Sequence, residues 1–214
     1  MKLYDYAYSS AAYRVRIAMN LKGIACERVS IHLVKDGGVQ HSPAYKAVNP
    51  QELVPTLDVD GQLIGQSLAI IEYLDETHPM PPLLPSYPLE KARVRQIAQV
   101  IACDIHPINN LSVRQHLKTL GHSDDEIMAN WYAHWIARGF AALETLLSGS
   151  KATGRFCHGD APTLADICLV PQMANAYRFK VPVDNFPTLV RIDRACRELR
   201  AFADAAPEKQ PDAS

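Results

Sequence analysis

Three short segments of this 214-residue chain carry residue types that could do chemistry. Ser9-Ser10 stands between a strand-like run and a helix-like run. A helix N-terminus offers free N–H groups and a partial positive charge, so a serine placed there can help it stabilise an anion such as a thiolate. The same serine can instead act as an N-cap, its hydroxyl accepting from the first free N–H groups, and neighbouring serines can divide the two roles. Val54-Pro55 precedes a strand-like run. Taken locally it reads as an ordinary trans turn. A cis bond would turn the Val54 backbone N–H and C=O outward, where an extended peptide could pair with them like an added strand. Gln66-Ser67 opens another helix-like run. Ser67 reads as its N-cap or, with the helix N-terminus, as a holder for the carboxylate of an α-amino acid.

The elements that must position these segments follow from periodicity. Lys2 to Tyr6 is rich in strand formers. Tyr13 to Lys22 carries Val15, Ile17, Ala18 and Leu21 on a helical face, and Gly23 supplies the stop. Glu27 to Leu33 alternates Val29, Ile31 and Leu33 with polar residues, the pattern of a half-buried strand. Pro55 to Asp58 and Gln62 to Gly65 flank Asp60-Gly61, a strong hairpin signal. Ser67 to Leu74 is apolar and helical. The expected order is β-α-β, a short irregular helix, then β-β-α.

Five prolines between Pro79 and Pro88 break the pattern, because proline fixes φ and donates no backbone hydrogen bond. Residues 1–80 are therefore expected to form a small α/β domain, 81–88 a linker and 89–214 an all-helical domain. In the last of these, Val94, Ile97, Ala98, Ile101, Ile105 and Ile108 line one helix face. Ile127, Trp131, Trp135, Phe140, Leu143, Leu146 and Leu147 continue the helical spacing, and Leu164, Ile167 and Leu169 begin a further buried helix. Ile192, Cys196 and Leu199 mark another. Pro207 to Ser214 is polar and expected to be loosely held.

Composition excludes several classes. With 22 basic and 23 acidic side chains the formal charge is -1, which lacks the basic footprint of nucleic-acid binding. Apolar runs fall short of the roughly 18 residues a membrane span needs. Asp5 interrupts any early apolar stretch, so no secretory signal is expected. Five scattered cysteines without C-x-x-C spacing suit a reducing cytoplasm and argue against a disulfide framework. Eight histidines show no metal-ligand spacing, so no metal is expected.

Taken together, the motifs resemble the glutathione transferase family, and its zeta class in particular. The stretch Ser9-Ser10-Ala11-Ala12-Tyr13-Arg14-Val15-Arg16-Ile17-Ala18 looks like the zeta signature. Asn49-Pro50 with Val54-Pro55-Thr56-Leu57 is similar to the segment bearing the family's cis-proline. Gln66-Ser67-Leu68-Ala69-Ile70-Ile71 resembles the segment that holds the γ-glutamyl end of glutathione. Gly159-Asp160-Ala161-Pro162-Thr163-Leu164-Ala165-Asp166 resembles the capping box of the helical domain, where Thr163 caps and Asp166 reaches back.

The resemblance covers essentially the whole chain. It implies a thioredoxin-like domain joined to a helical bundle, a homodimer, and glutathione as cofactor. It also implies cis–trans isomerisation of a small dicarboxylate such as maleylacetoacetate or maleylpyruvate. A glutathione thiolate adds to the cis double bond, the resulting single bond rotates, and expulsion of the thiolate leaves the trans isomer. Conjugation or dehalogenation of small α-halo acids is the alternative that the same site allows.

By the same resemblance, Ser9 matches the thiolate-stabilising serine, with Ser10 beside it. Gln40, Val54, Pro55, Gln66 and Ser67 match glutathione-contacting positions. His106 and Asn110, read as four apart on one helix face either side of Pro107, match the wall facing glutathione; a satisfied core histidine is the other reading of His106. Arg178 matches an arginine that holds substrate carboxylate, with an ion pair as its alternative. Three positions depart from the pattern. Tyr8 stands where the class usually has arginine, which removes a cation from the substrate side. Ala11 replaces a common cysteine. Leu111-Ser112 stands where maleylpyruvate-type relatives tend to carry arginine. Arg14 and Arg16 read as structural or interface residues.

Overall fold

A computed structural model describes residues 1–213, and they form two compact units: 1–82 with 199–213, and 83–198. The first unit is built on four strands. β1 (Lys2–Asp5) pairs parallel with β2 (Glu27–Ser30) and antiparallel with β3 (Thr56–Val59), which pairs with β4 (Gln62–Gly65). The sheet order is β2-β1-β3-β4. The two-residue β3–β4 turn places Asp60 at φ 52 and Gly61 at φ 87, and Gly61 N–H donates to Asp58 Oδ1 at 2.7 Å. Positive φ at both central residues suits the right-handed twist of a hairpin, which is why Asp-Gly stands there.

Helix α1 (Ser10–Lys22) starts three residues before its expected apolar face and ends on Gly23 at φ 65. Its buried residues include Val15, Ile17 and Ala18. β2 is shorter than its alternating pattern, because the chain leaves the sheet after Ser30. Ile31 still donates to Asp5 O at 2.7 Å, and its side chain joins Tyr6, Tyr45 and Val54 in a buried cluster. The irregular stretch after it contains α2 (Pro43–Val48), capped by Ser42, whose hydroxyl accepts from Tyr45 N–H at 3.2 Å. α3 (Ser67–Thr77) closes the β-β-α half and buries Ile70, Ile71 and Leu74.

The second unit has no strand among its described residues. α4 (Pro88–Gln99) runs into a π-helical stretch (Val100–Ile105), then a short turn (Pro107–Asn109) leads to α5 (Leu111–Thr119). α6 (Asp124–Glu126) and a second π-helical stretch (Ile127–Tyr132) lead into α7 (Ala133–Ser148). α8 (Leu164–Arg178) and α9 (Pro187–Arg197) complete the unit. Val94, Ile97, Ile101 and Ile105 from the first pair, Phe140, Leu143 and Leu147 from α7, and Ile167 and Leu169 from α8 are buried as their spacing predicts. Leu146, read in the same stripe, is 39% exposed. Asp166 is fully buried at the start of α8, where Oδ2 accepts from Thr163 N–H at 2.8 Å and Thr163 hydroxyl at 2.9 Å. Its Oδ1 accepts from Cys157 N–H at 2.8 Å.

One division differs from the sequence reading. The sequence pattern puts residues 199–214 with the helical domain and makes 207–214 loosely held; Ser214 lies outside the described residues. Instead α10 (Arg200–Ala203) and the segment after it belong to the first unit. The reason is hydrogen bonding that composition does not reveal: Tyr13 hydroxyl donates to Phe202 O at 3.3 Å, and Arg16 Nε to Ala205 O at 3.0 Å. No helix among the described residues is long and apolar enough to cross a membrane.

Candidate functional site

Strand register brings the predicted segments of the first unit to one end of the sheet. Asp5 ends β1 and pairs with Ser30, which ends β2; Tyr4 pairs with Thr56, which begins β3; Thr56 pairs with Gly65, which ends β4. Ser9 follows β1, the Gln40 loop follows β2, Val54-Pro55 precedes β3, and Gln66-Ser67 follows β4. Four segments far apart in sequence therefore share one edge.

At that edge Ser9 is the N-cap of α1. Its Oγ accepts from Ala12 N–H at 3.2 Å. That bond uses a lone pair, and the hydroxyl proton has no acceptor among the described residues. Ser10 is buried in the first turn. Capping therefore leaves this hydroxyl with a donor to offer, since it accepts from the helix and keeps its proton.

The Val54-Pro55 bond is cis, which corrects the local trans-turn reading and agrees with the resemblance. Buried Asn49 organises the preceding turn. Its Nδ2 donates to Leu53 O at 2.8 Å and to Thr56 Oγ1 at 3.1 Å, while its Oδ1 accepts from Gln51 N–H at 3.0 Å. Tyr45 hydroxyl also donates to Leu53 O, at 2.6 Å. The carbonyl before Val54 is thus held twice. The Val54 side chain is buried, and no described group pairs with its backbone N–H or C=O.

Ser67 is not the cap of α3. Gln66 takes the cap position at φ 66, with no side-chain cap bond, and Ser67 is the first helical residue. The Ser67 hydroxyl is occupied in another way: buried Arg14 donates to its Oγ from Nη1 at 3.3 Å. Gln66 Nε2 donates to Gln51 Oε1 at 2.9 Å. Gln40 is buried too. Its Nε2 donates to Leu33 O at 3.2 Å and lies 3.0 Å from His41 Nε2, while its Oε1 has no hydrogen-bond partner. Sequence reasoning missed Arg14 and Gln51 as members of this edge. The one signal was an arginine set in an otherwise apolar helix face.

Tyr8 packs against the Tyr6–Ile31–Tyr45–Val54 cluster, its ring 6.0 Å from that of Tyr6, and its hydroxyl donates to Ala213 O at 2.9 Å.

In the second unit, His106 and Asn110 do not share a helix face. His106 closes the π-helical stretch, its N–H donating to Ile101 O at 2.9 Å. Pro107 then breaks the helix, having no N–H to continue it. Asn110 is extended at φ -69, ψ 156 and caps α5, its Oδ1 accepting from Ser112 N–H at 3.1 Å. Trp131 Nε1 donates to Ile108 O at 2.7 Å and holds the break in place. Arg178 is exposed in the last turn of α8, with its guanidinium 5.5 Å from the Phe179 ring centre. Phe179 meets Tyr132 edge-on at 4.8 Å. Burial pushes the Tyr132 phenol up to about 12, while the charges of Arg114 and Arg178 pull it down. Arg114 is thereby a second cation of this neighbourhood, held by Asp124 at 2.7 Å.

Residues 3–82 match the family model described as glutathione S-transferase, N-terminal domain. The chain is 50% identical over 213 residues to a probable maleylacetoacetate isomerase of Vibrio cholerae, covering 99% of this chain and 97% of that one. It is 45% identical over 214 residues to a maleylpyruvate isomerase of a Ralstonia species, with both chains covered fully. The crystal structure of maleylacetoacetate isomerase from Methylobacterium extorquens, with bound malonate and glutathione, superposes with a TM-score of 0.95 at 44% identity over the full length of both chains.

The chain belongs to the zeta class of the glutathione transferase family. In this zeta-class transferase the signature run Ser9 to Ala18 is the first turn and body of α1, and its two arginines face inward. Arg14 reaches Ser67, as described. Arg16, 3% exposed, donates to Asp5 Oδ1 at 2.7 Å, Tyr6 O at 3.2 Å and Ala7 O at 2.9 Å. Burial lowers its pKa to about 10, well above neutrality, so the guanidinium stays charged. Both signature arginines therefore tie α1 to the segments around the edge.

Proposed function

We propose that this chain is a glutathione-dependent cis–trans isomerase of maleylacetoacetate-type dicarboxylates. The observation that carries it is the sheet edge itself: a capping serine with a free hydroxyl proton, beside an unpaired backbone N–H and C=O at Val54 and a helix N-terminus at Ser67. A γ-glutamyl tripeptide with a thiol needs these three things, namely an anion hole for sulfur, a strand-like partner for its backbone, and a donor set for its terminal carboxylate. When bound, glutathione supplies the sulfur nucleophile that makes the cis double bond transiently single and is then released unchanged.

Ser9 would donate a hydrogen bond from its hydroxyl to the sulfur anion, and the α1 N-terminus, with Ser10 in its first turn, would add N–H groups and positive potential. Val54 pairs with the cofactor backbone, and Pro55 sets the direction of that backbone. Ser67 and the α3 N-terminus hold the α-carboxylate. Gln66 lies beside them, and Gln40 offers its unpaired Oε1 to a peptide N–H. Arg14 orients Ser67: by donating to Oγ it leaves the Ser67 proton to point at the carboxylate. His106 and Asn110 are assigned to glutathione, and Arg178 to a substrate carboxylate, on the motif match alone. A cytoplasmic homodimer completes the reading.

Leu111-Ser112, where maleylpyruvate-type relatives tend to carry arginine, favours maleylacetoacetate, while 45% identity over the full length to the Ralstonia enzyme keeps maleylpyruvate as the second reading; Tyr8 in place of arginine gives weight to conjugation or dehalogenation. The deciding experiment is the initial isomerisation rate on each substrate, with and without glutathione. A strictly glutathione-dependent rate, greater on maleylacetoacetate, is expected. No rate on either substrate despite tight glutathione binding would overturn the reading and leave conjugation or dehalogenation of α-halo acids.

A further inference from the structure

The segment after α10 ends on the residues immediately before Ser9. Asp212 Oδ2 accepts from Ala7 N–H at 3.1 Å and from Ser30 hydroxyl at 2.8 Å. Ala213 O accepts from Tyr8 hydroxyl at 2.9 Å. The other side of the Ala7 residue is held as well, since Ala7 O accepts from Arg16 Nη2, and the same guanidinium holds Ala205 O through Nε. Gln210 stiffens the segment internally, its Nε2 donating to Ala206 O at 2.7 Å and Asp204 O at 3.0 Å, and Arg28 bridges Gln210 to Asp5. Ser9 N–H itself donates to Tyr6 O at 3.0 Å. The β1–α1 turn that aims Ser9 is therefore clamped at Ala7 N–H, Ala7 O and the Tyr8 side chain, two of the three by the C-terminal segment.

We propose that residues 205–213 act as a strap that positions Ser9, with Asp212 as its principal positioning residue. The proposal rests on the reading of Ser9 as the thiolate donor. An amide N–H held by a carboxylate has a fixed direction, and Ala7 lies two residues before Ser9, so rotation of that peptide moves the Ser9 hydroxyl away from the axis of α1. Misplacing a single donor by a fraction of an ångström weakens it where charge develops, whereas binding of the rest of the cofactor is untouched.

The sign of the effect separates positioning from charge. Asp212 is negative, so a purely electrostatic role would make its removal favour the thiolate. Positioning makes its removal disfavour the thiolate. The experiment is spectroscopic titration of the bound glutathione thiol, with kcat and KM for glutathione, in Asp212→Ala, Asp212→Asn, Tyr8→Phe and Ser9→Ala. For Asp212→Ala the bound-thiol pKa should rise by about half to one unit and kcat fall about threefold to tenfold, with KM for glutathione within about twofold. Asp212→Asn, which keeps an acceptor oxygen for Ala7 N–H without the charge, should restore most of both; Tyr8→Phe should show a smaller effect of the same sign. A fall in thiol pKa in both Asp212 variants, or an unchanged pKa and kcat in Asp212→Ala whatever its melting temperature, overturns the strap. Ser9→Ala separates the two failures. If it leaves the thiol pKa at the parent value, the Ser9 reading itself fails. If it raises the pKa while Asp212→Ala does not, only the strap fails.

Discussion

Replacing Ser9 perturbs two functions of one oxygen, the helix cap seen in the structure and the thiolate donor proposed above, and the two can be separated. As N-cap, the hydroxyl accepts from Ala12 N–H at 3.2 Å. Losing such a cap costs about 1 kcal/mol, which lowers the melting temperature of a chain this size by roughly 2–4 °C. As donor to a sulfur anion, it makes a hydrogen bond to a charged group, worth about 1.5–3 kcal/mol. At about 1.36 kcal/mol per pKa unit, the bound glutathione thiol should rise by roughly one to two units in Ser9→Ala. The same loss in the transition state lowers kcat about 10- to 100-fold. Ser9→Asp breaks the correlation between the two. Aspartate is as good a cap as serine and complements the helix dipole, so the melting temperature should return to the parent value or exceed it. Yet aspartate has no proton to donate and places a negative charge beside the sulfur, so the thiol pKa should climb further. The assay is a thiolate absorbance titration of the binary complex beside a thermal melt for each variant. If the thiol pKa followed the melting temperature, with Ser9→Asp restoring both, the serine would be a cap only and the reasoning would be refuted.

Other expectations follow from the same structure. Asp166→Ala strips the acceptor from Cys157 N–H, Thr163 N–H and the Thr163 hydroxyl in a fully buried site, and should cost about 2–4 kcal/mol in urea unfolding, with Asp166→Asn intermediate. Equal midpoints for parent and Asp166→Ala would contradict it. Gly38 sits at φ 98, and an added Cβ would lie 2.5 Å from Gln40 Nε2. Gly38→Ala should therefore displace Gln40, raise KM for glutathione several-fold and leave kcat near the parent value; a changed kcat at constant KM would argue against this placement. Burial, followed by the charge of Asp166, raises the thiol pKa of both Cys157 and Cys196, so neither carries appreciable thiolate at neutral pH. A disulfide reagent at neutral pH should label exposed Cys103 first and reach Cys157, Cys168 and Cys196 only in denaturant, and rapid native labelling of Cys157 would contradict that burial.

The features that were legible in the sequence are those whose partners are near in the chain. Asp60-Gly61 predicts its turn because both positive φ values are local demands. Ser9 predicts a cap because the N–H it accepts from is three residues on. Thr163 and Asp166 meet across three residues for the same reason. Buried faces of α4, α7 and α8 follow from spacing alone, since a helical period requires no knowledge of what lies opposite. His106 and Asn110 do not share a helix face, because four-residue spacing assumes an unbroken helix and Pro107 ends it.

What the sequence by itself determined is therefore the element order of the first unit, the Asp60-Gly61 turn, the Ser9 and Thr163 caps and, through the ordered motifs, the family. Tertiary structure alone decided how the edge is assembled. Nothing local distinguishes cis from trans at Val54-Pro55; the preceding turn is held by Asn49 and Tyr45 through hydrogen bonds to Leu53 and Thr56. Arg14 and Arg16 read as structural or interface residues without a named partner until residues 53 and 189 positions away accept their hydrogen bonds. The polar C-terminal segment looks loose because its partners, Ala7 and Tyr8, lie 205 residues away. A buried polar group must find a partner, but which partner it finds is settled only when the chain has folded back on itself.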